Sequence, residues 1–228
     1  MQAVLFDLDG TLIDTAPDIA AALNLALQRA GLRPATPDQV RGWIGDGTRA
    51  SLAKAVRAAG VAADAVEAQV GALWSGLEFD YAQACGEHSR LYPGVRRMLE
   101  RLTGAGIQVG LVTNKEAVFA HRLLVRHDLN ACFDLMVCGD TLPVRKPDPS
   151  MLHHALQALQ CAPDDALYIG DSAVDVRTAR AAGVPVWAVT HGYGGPLRGA
   201  DAPDHTVDGF DELGRTLTTH RGLRVSIF

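Results

Sequence analysis

The sequence predicts an α/β protein in which a doubly wound parallel sheet is interrupted, after its first strand, by an inserted all-helical block. Three observations carry this prediction. Four apolar runs each end abruptly in small polar residues. Helical periods lie between the later runs. The interval from about Thr15 to His88 holds helical periods and no convincing strand.

The first run, Val4-Leu5-Phe6, ends in Asp7-Leu8-Asp9-Gly10-Thr11. Ile107 to Val112 ends in Thr113-Asn114-Lys115, Ala166 to Ile169 in Gly170-Asp171-Ser172, and Val184 to Val189 in Thr190-His191-Gly192. Apolar runs without alternation suit strands buried on both faces. Between them, Val95, Met98, Leu99 and Leu102 fall at helical spacing. Glu116 to His127, Pro149 to Leu159 and Ser172 to Ala182 also read as helices, the last stopped by Gly183. Strand–helix alternation implies right-handed crossovers and a parallel sheet with helices on both faces.

The interrupting block carries Ala-rich helical periods over Ile19 to Leu27, Leu52 to Val56 and Val66 to Leu77. It reads as a separate lid or cap over residues 15–88, set into a core of residues 1–14 and 89–228. Asp14 and Asp18, near the first joint, read as helix-capping and hinge residues. The apolar tail Leu223 to Phe228 could be an edge strand, a packing arm or a dimer contact. Monomer and homodimer are both open.

Composition narrows the functional classes. The 228 residues carry a formal net charge of −5 and have no basic tract, so the footprint of a nucleic-acid binder is missing. Aromatic residues make up 6%, too few for base-stacking platforms. No apolar stretch reaches the roughly 18 residues of a membrane span, and no signal peptide is visible. Cys85, Cys132, Cys138 and Cys161 are scattered without a CxxC pair. They read as reduced thiols in a cytoplasmic protein.

In an open parallel sheet, ligands bind beyond the carboxyl ends of the strands. Asp7, Asp9, Thr113, Asn114, Asp171 and His191 all follow strand ends and should line one crevice. Asp7, Asp9, Asp171 and Asp175 would repel one another there unless a cation intervened. Oxygen-only ligands suit Mg²⁺. Lys146, in Arg145-Lys146-Pro147, supplies a second positive charge. Thr113 and Asn114 offer a hydroxyl and an amide to phosphate oxygens. Such a set can run phosphoryl transfer, with one carboxylate as nucleophile and a second as general acid and base. Asp171 could also be the N-cap of the helix that follows it.

These residues resemble the motifs of the haloacid dehalogenase superfamily. Its DxDxT motif appears as Asp7-Leu8-Asp9-Gly10-Thr11, and its strand ending in Thr or Ser as Leu111-Val112-Thr113-Asn114. Its lysine appears as Lys146, and its GDxxxD as Gly170-Asp171-Ser172-Ala173-Val174-Asp175. All four occur in order across the chain. The resemblance implies that Asp7 is the nucleophile and a Mg²⁺ ligand. Asp9 would be the acid/base and give its backbone carbonyl to the metal. Asp171 would be a direct ligand, and Asp175 a further ligand or an outer partner. Thr113, Asn114 and Lys146 would hold the phosphate. True dehalogenases of the superfamily lack the second aspartate, so Asp9 argues against dehalogenation. The helical block resembles the small-cap class, and Leu12 to Asp18, Trp43 to Thr48 and Thr190-His191-Gly192-Tyr193 resemble phosphoglycolate phosphatases. That likeness implies a small phosphorylated metabolite, 2-phosphoglycolate first and a sugar or amino-sugar phosphate next. A β-phosphoglucomutase-like isomerase or a non-catalytic binder would be the alternatives. Gly45, Asp46 and Gly47 would form the cap loop that meets the substrate. Asp46 stands where a less charged residue is expected, and facing the pocket it would repel a carboxylate.

Overall fold

The computed structural model describes residues 1–213. The apolar tail 223–228, read above as strand, arm or dimer contact, lies outside them.

The strands are β1 (Ala3–Phe6), β2 (Ile13–Asp14), β3 (Arg90–Leu91), β4 (Gln108–Val112), β5 (Leu135–Val137), β6 (Ala166–Gly170), β7 (Val186–Val189) and β8 (His205–Val207). Six of them form one sheet in the order β5-β4-β1-β6-β7-β8, and every pairing is parallel. The chain leaves β1 toward β4 and β5, then crosses back to β6. The switch point therefore lies around β1, where a crevice opens. The register sets Phe6 opposite both Leu111 and Ile169. Asp7, Thr113 and Asp171 consequently leave the same sheet edge.

Alternate residues of β1 point to opposite faces. Val4 and Phe6 pack with one buried cluster that includes Met98 and Leu99 of α5 (Val95–Gly104) and Phe119 and Leu123 of α6 (Ala117–Arg126). Ala3 and Leu5 pack with the other, which includes Met151 and Leu152 of α7 (Ser150–Ala158) and Val176 and Ala179 of α8 (Ala173–Ala182). The sheet is thus covered on both faces, which explains its unalternating strands. Two strands of this six-stranded sheet carry no signal in the sequence, β5 and β8; they are three residues each and partly exposed. Neither carries an apolar run long enough to read.

Between β2 and β3 the chain forms α1 (Ala16–Arg29), α2 (Pro37–Arg41), α3 (Thr48–Ala58) and α4 (Val66–Ala84). In α1 the buried stripe Ile19, Ala22, Leu23, Ala26 and Leu27 follows the helical period. The short α2 was not expected. It is opened by Pro37 and by a reciprocal capping box between Thr36 and Gln39, a signal the sequence does contain. The two ends of this helical block meet in the antiparallel pair β2–β3. Asp18 secures that joint. It is fully buried in the first turn of α1, and its carboxylate accepts from the Gly86 and His88 amides at 2.7 Å each. Asp18 is therefore a tie between the entry and exit of the block, not a helix cap. Among the described residues no helix is long and apolar enough to cross a membrane. All four cysteines are free thiols.

Candidate active site

The strand ends at β1, β4 and β6 deliver Asp7, Thr113 and Asp171 to one buried patch. Lys146 enters from the loop after β5, through a cis peptide bond to Pro147. Its ammonium lies 2.8 Å from Asp7 and 2.7 Å from Asp175. It also donates to the Tyr168 hydroxyl at 2.9 Å. Burial alone would push this ammonium down, but Asp175 and Asp7 outweigh it and hold Lys146 above the usual lysine range. Tyr168 sits inside β6, where a buried phenol needs partners. It finds them in Lys146, Asp175 and the Val112 carbonyl.

Asp175 closes the first turn of α8. Its Oδ2 accepts from the Ser172 amide and hydroxyl, while Ser172 Oγ accepts from the Asp175 amide. Ser172, rather than Asp171, is thus the N-cap. Burial would raise the Asp175 carboxyl, but Lys146, Ser172 and Tyr168 hold it below the usual range. Asp171 is left for the site. It accepts from Thr11 Oγ1 at 3.0 Å and from the Tyr193 amide at 2.7 Å. Gly192 permits this approach, because a Cβ there would lie 2.1 Å from that of Asp171. Gly10, at φ +83°, brings the loop after β1 against the same carboxylate.

Carboxylate oxygens of Asp7, Asp171 and Asp175 lie within 4.8 Å of one another, all buried. Lys146 is the one cation bonded to this triad among the described residues, so three buried carboxylates share one positive charge. The imbalance shows in their titration. Burial, then the charges of Asp175 and Asp7, pushes Asp171 up to about 8. Burial raises Asp7 to about 6 against the pull of Lys146. A second cation relieves such a cluster, and an all-oxygen donor set fits a hard metal ion.

Asp9 stands apart from the triad, facing the helical block. Its carboxylate accepts from Lys115 Nζ at 2.9 and 3.1 Å and from Thr15 Oγ1 at 2.6 Å. Lys115 is buried beneath Tyr81 of α4, with its ammonium 5.1 Å from the ring centroid. Lys115 belongs to none of the four motifs, and its one signal in the sequence is its place directly behind a buried apolar run.

Asn114 does something other than reach for phosphate. Its amide nitrogen donates to the Gly45 and Lys146 carbonyls at 2.9 Å each, and its oxygen accepts from the Lys146 amide at 2.8 Å. The side chain is fully engaged in tying the block's Gly45 loop to the Lys146 loop. Asp46 is drawn aside to Lys54 Nζ at 2.6 Å, so its charge is met where it stands. His191 packs its ring on Tyr92, 3.9 Å between centroids, with Nε2 on the Thr11 carbonyl. Tyr193 links site and joint: its hydroxyl accepts from the Thr15 and Ala16 amides and donates to Asp14 at 2.6 Å.

Two cavities meet at Asp7 and Asp9. One, of about 10 Å³, lies under the block against Ile44, Gly45, Gly47, Thr48, Thr113 and Lys115. The other, of about 300 Å³, opens past Asp171, Ser172, Arg41 and Tyr193.

The haloacid dehalogenase-like hydrolase family model matches residues 4–189. The chain belongs to that family. It is 37% identical over 218 residues to phosphoglycolate phosphatase 1 of Pseudomonas aeruginosa, covering 93% of this chain and 78% of that one. It is 34% identical over 220 residues to the phosphoglycolate phosphatase of Nitrosococcus oceani, covering 95% and 96%. Among solved structures, a predicted phosphoglycolate phosphatase from Haemophilus somnus superposes with a TM-score of 0.85 at 30% identity, covering 95% of this chain and 97% of that one. This haloacid dehalogenase-like hydrolase is a phosphoric monoester hydrolase acting on a small phosphorylated substrate. Its acidic triad can bind a metal ion.

Proposed function

We propose that the chain hydrolyses 2-phosphoglycolate through an aspartyl-phosphate on Asp7. The observation that carries this is the division of labour between the two aspartates of the first loop. Asp7 is held by Lys146 within the acidic triad, whereas Asp9 is held by Lys115 and by Thr15 at the joint of the helical block. Asp7 attacks phosphorus, the bond to the ester oxygen breaks, and Asp9 delivers its proton to that oxygen. Asp9 then takes a proton from water, whose oxygen attacks the phosphorus of phospho-Asp7. The acyl-phosphate bond breaks and inorganic phosphate leaves. Lys146 offsets charge on the transferring group, and Thr113 donates to it. Asp7, Asp171 and the Asp9 carbonyl, with Asp175 behind them, are the residues that would hold Mg²⁺. When bound, that ion would neutralise the phosphoryl oxygens.

In this reading residues 15–88 are a cap that excludes water over a core of residues 1–14 and 89–228. Gly45, Asp46 and Gly47 form its loop over the site, steadied by Asn114. The names of the relatives support 2-phosphoglycolate over hexose or amino-sugar 6-phosphates.

The test is phosphate release from a panel holding 2-phosphoglycolate, hexose and amino-sugar 6-phosphates, mononucleotides and pyrophosphate, with Mg²⁺ and with EDTA. Fast turnover of 2-phosphoglycolate alone, abolished by EDTA, is expected. Asp7→Asn should lower kcat by at least roughly 10⁴-fold. Wild-type kcat in that variant would overturn the nucleophile assignment.

A further inference from the structure

We infer that Lys115 determines specificity at this site: its ammonium receives a carboxylate on the leaving group, so the substrates are phosphate esters of 2-hydroxy acids. This deepens the reading above and rests on it.

The side chain of Lys115 is 1% exposed, yet it lines the small cavity shared by Asp7 and Asp9. Asp9, the proposed proton donor to the leaving oxygen, borders the same space, so the leaving group stands beside Lys115. An ammonium has three donors. Among the described residues Asp9 supplies its hydrogen-bond acceptors, and the Tyr81 ring covers it from the block side. Apart from Asp7, the other walls are apolar, as at Ile19 and Ile44, or uncharged, as at Thr48 and Ser51. Lys115 is therefore the cation of this cavity. The first turn of the eleven-residue α3 borders it too, and there the Thr48 amide donates to the Glu116 carboxylate at 3.4 Å, itself paired with Arg145.

Four other cations stand near the site, and each already has partners. Lys146 holds Asp7 and Asp175, and Arg145, beside Gly47, holds Glu116 and the Gly139 carbonyl. Arg41 lies 3.6 Å from Asp14, and Lys54 is paired with Asp46. Both are partly exposed at the mouth of the wide cavity, where water screens them. The small cavity has room for about one water as the block now sits, so any leaving group there requires the block to shift or reaches into the wide cavity.

The test compares kcat/KM for 2-phosphoglycolate with that for 2-hydroxyethyl phosphate, which lacks the carboxylate. It uses the wild type, Lys115→Met, Lys115→Gln and Lys115→Arg, with folding checked by circular dichroism. The wild type should prefer 2-phosphoglycolate. That preference should fall roughly 100-fold in whichever neutral variant folds and return in part with Lys115→Arg. Glycolate should inhibit the wild type competitively and lose that inhibition in the same variants. If both esters slow in parallel and the ratio holds, Lys115 serves only to position Asp9 and the inference is overturned. A wild type without preference overturns it as well. A wild type that hydrolyses neither ester overturns the parent reading together with this one, and is told apart by the absence of any turnover.

Discussion

The site is built around two buried lysines whose surroundings differ. Lys146 is enclosed by the sheet: Asp7 follows β1, Tyr168 lies in β6, Asp175 opens α8, and Asn114 fixes its backbone. Lys115 lies at a seam. Its carboxylate partner follows β1, that partner is also held by Thr15 at the joint, and the ring over it belongs to α4. The first lysine balances several carboxylates within a rigid frame. The second balances one carboxylate between two parts that the chain joins only at β2 and β3. Charge compensation that must not move sits in the core, and charge available to a ligand sits where the helical block meets it.

The comparison breaks most directly on stability. Lys146→Met leaves three buried carboxylates with no ammonium among them, and truncating one partner of a buried ion pair costs about 3–5 kcal/mol. Protonation of Asp7 and Asp171, whose pKa values already lie at about 6 and about 8, caps the loss near that range. Lys115→Met leaves Asp9, 11% exposed, with its Thr15 bond intact, and should cost about 1–3 kcal/mol. Urea denaturation of both variants at pH 7 measures the difference. Equal losses would mean that the seam is as closed as the core.

A smaller effect separates the two halves by pH. Asp171 and Asp7 have folded-state pKa values above the 3.8 of the unfolded chain. Their contribution to stability is complete below about pH 4 and is lost as pH rises through about 6 and about 8. His127 and His191 are lowered by burial and act in the opposite direction, but they are neutral in both states above pH 7. In EDTA, Tm should therefore fall by a few degrees between pH 7 and 8.5, as Asp171 ionises. With Mg²⁺ the fall should vanish, and the Tm gained from the ion should grow with pH. Calorimetry across that interval checks both slopes. A flat EDTA profile would mean that the triad is already compensated without metal.

How much of this was legible follows the same division. The core half reads from the sequence because each residue directly follows a buried run or falls at fixed spacing from one that does, as Asp7, Asp171 and Asp175 do. The register of β1 with β4 and β6 then brings them together whatever else the chain does. The seam half reads poorly. Lys115 and Asp9 are 106 residues apart, and their pairing depends on how α4 lies over them. Asn114 was expected at phosphate, since an amide donor at a strand end suits an anion. The side chain instead found two carbonyls supplied by loops whose paths no local pattern announces. Tyr168 was hidden by being a good strand residue, and Tyr193 by acting through its hydroxyl on a joint 178 residues earlier.

The least consequential charge in the site is Asp46, which the sequence marked as an obstacle to a carboxylate substrate. Its pair with Lys54 is partly exposed, with side chains 47% and 33% accessible, and pairs of that kind contribute about 0–1 kcal/mol. Asp46→Asn should leave stability within that range. It should also change kcat/KM for 2-phosphoglycolate by less than about threefold, because Lys54 already meets the negative charge. Removing the partner is the sharper probe. Lys54→Met leaves Asp46 uncompensated at the mouth of the wide cavity, and KM for 2-phosphoglycolate should rise more than KM for 2-hydroxyethyl phosphate. That difference should shrink in high salt, whereas the discrimination made at Lys115, inside the seam and away from solvent ions, should hold. If salt erodes both alike, recognition of the carboxylate belongs to the mouth of the site and not to the seam.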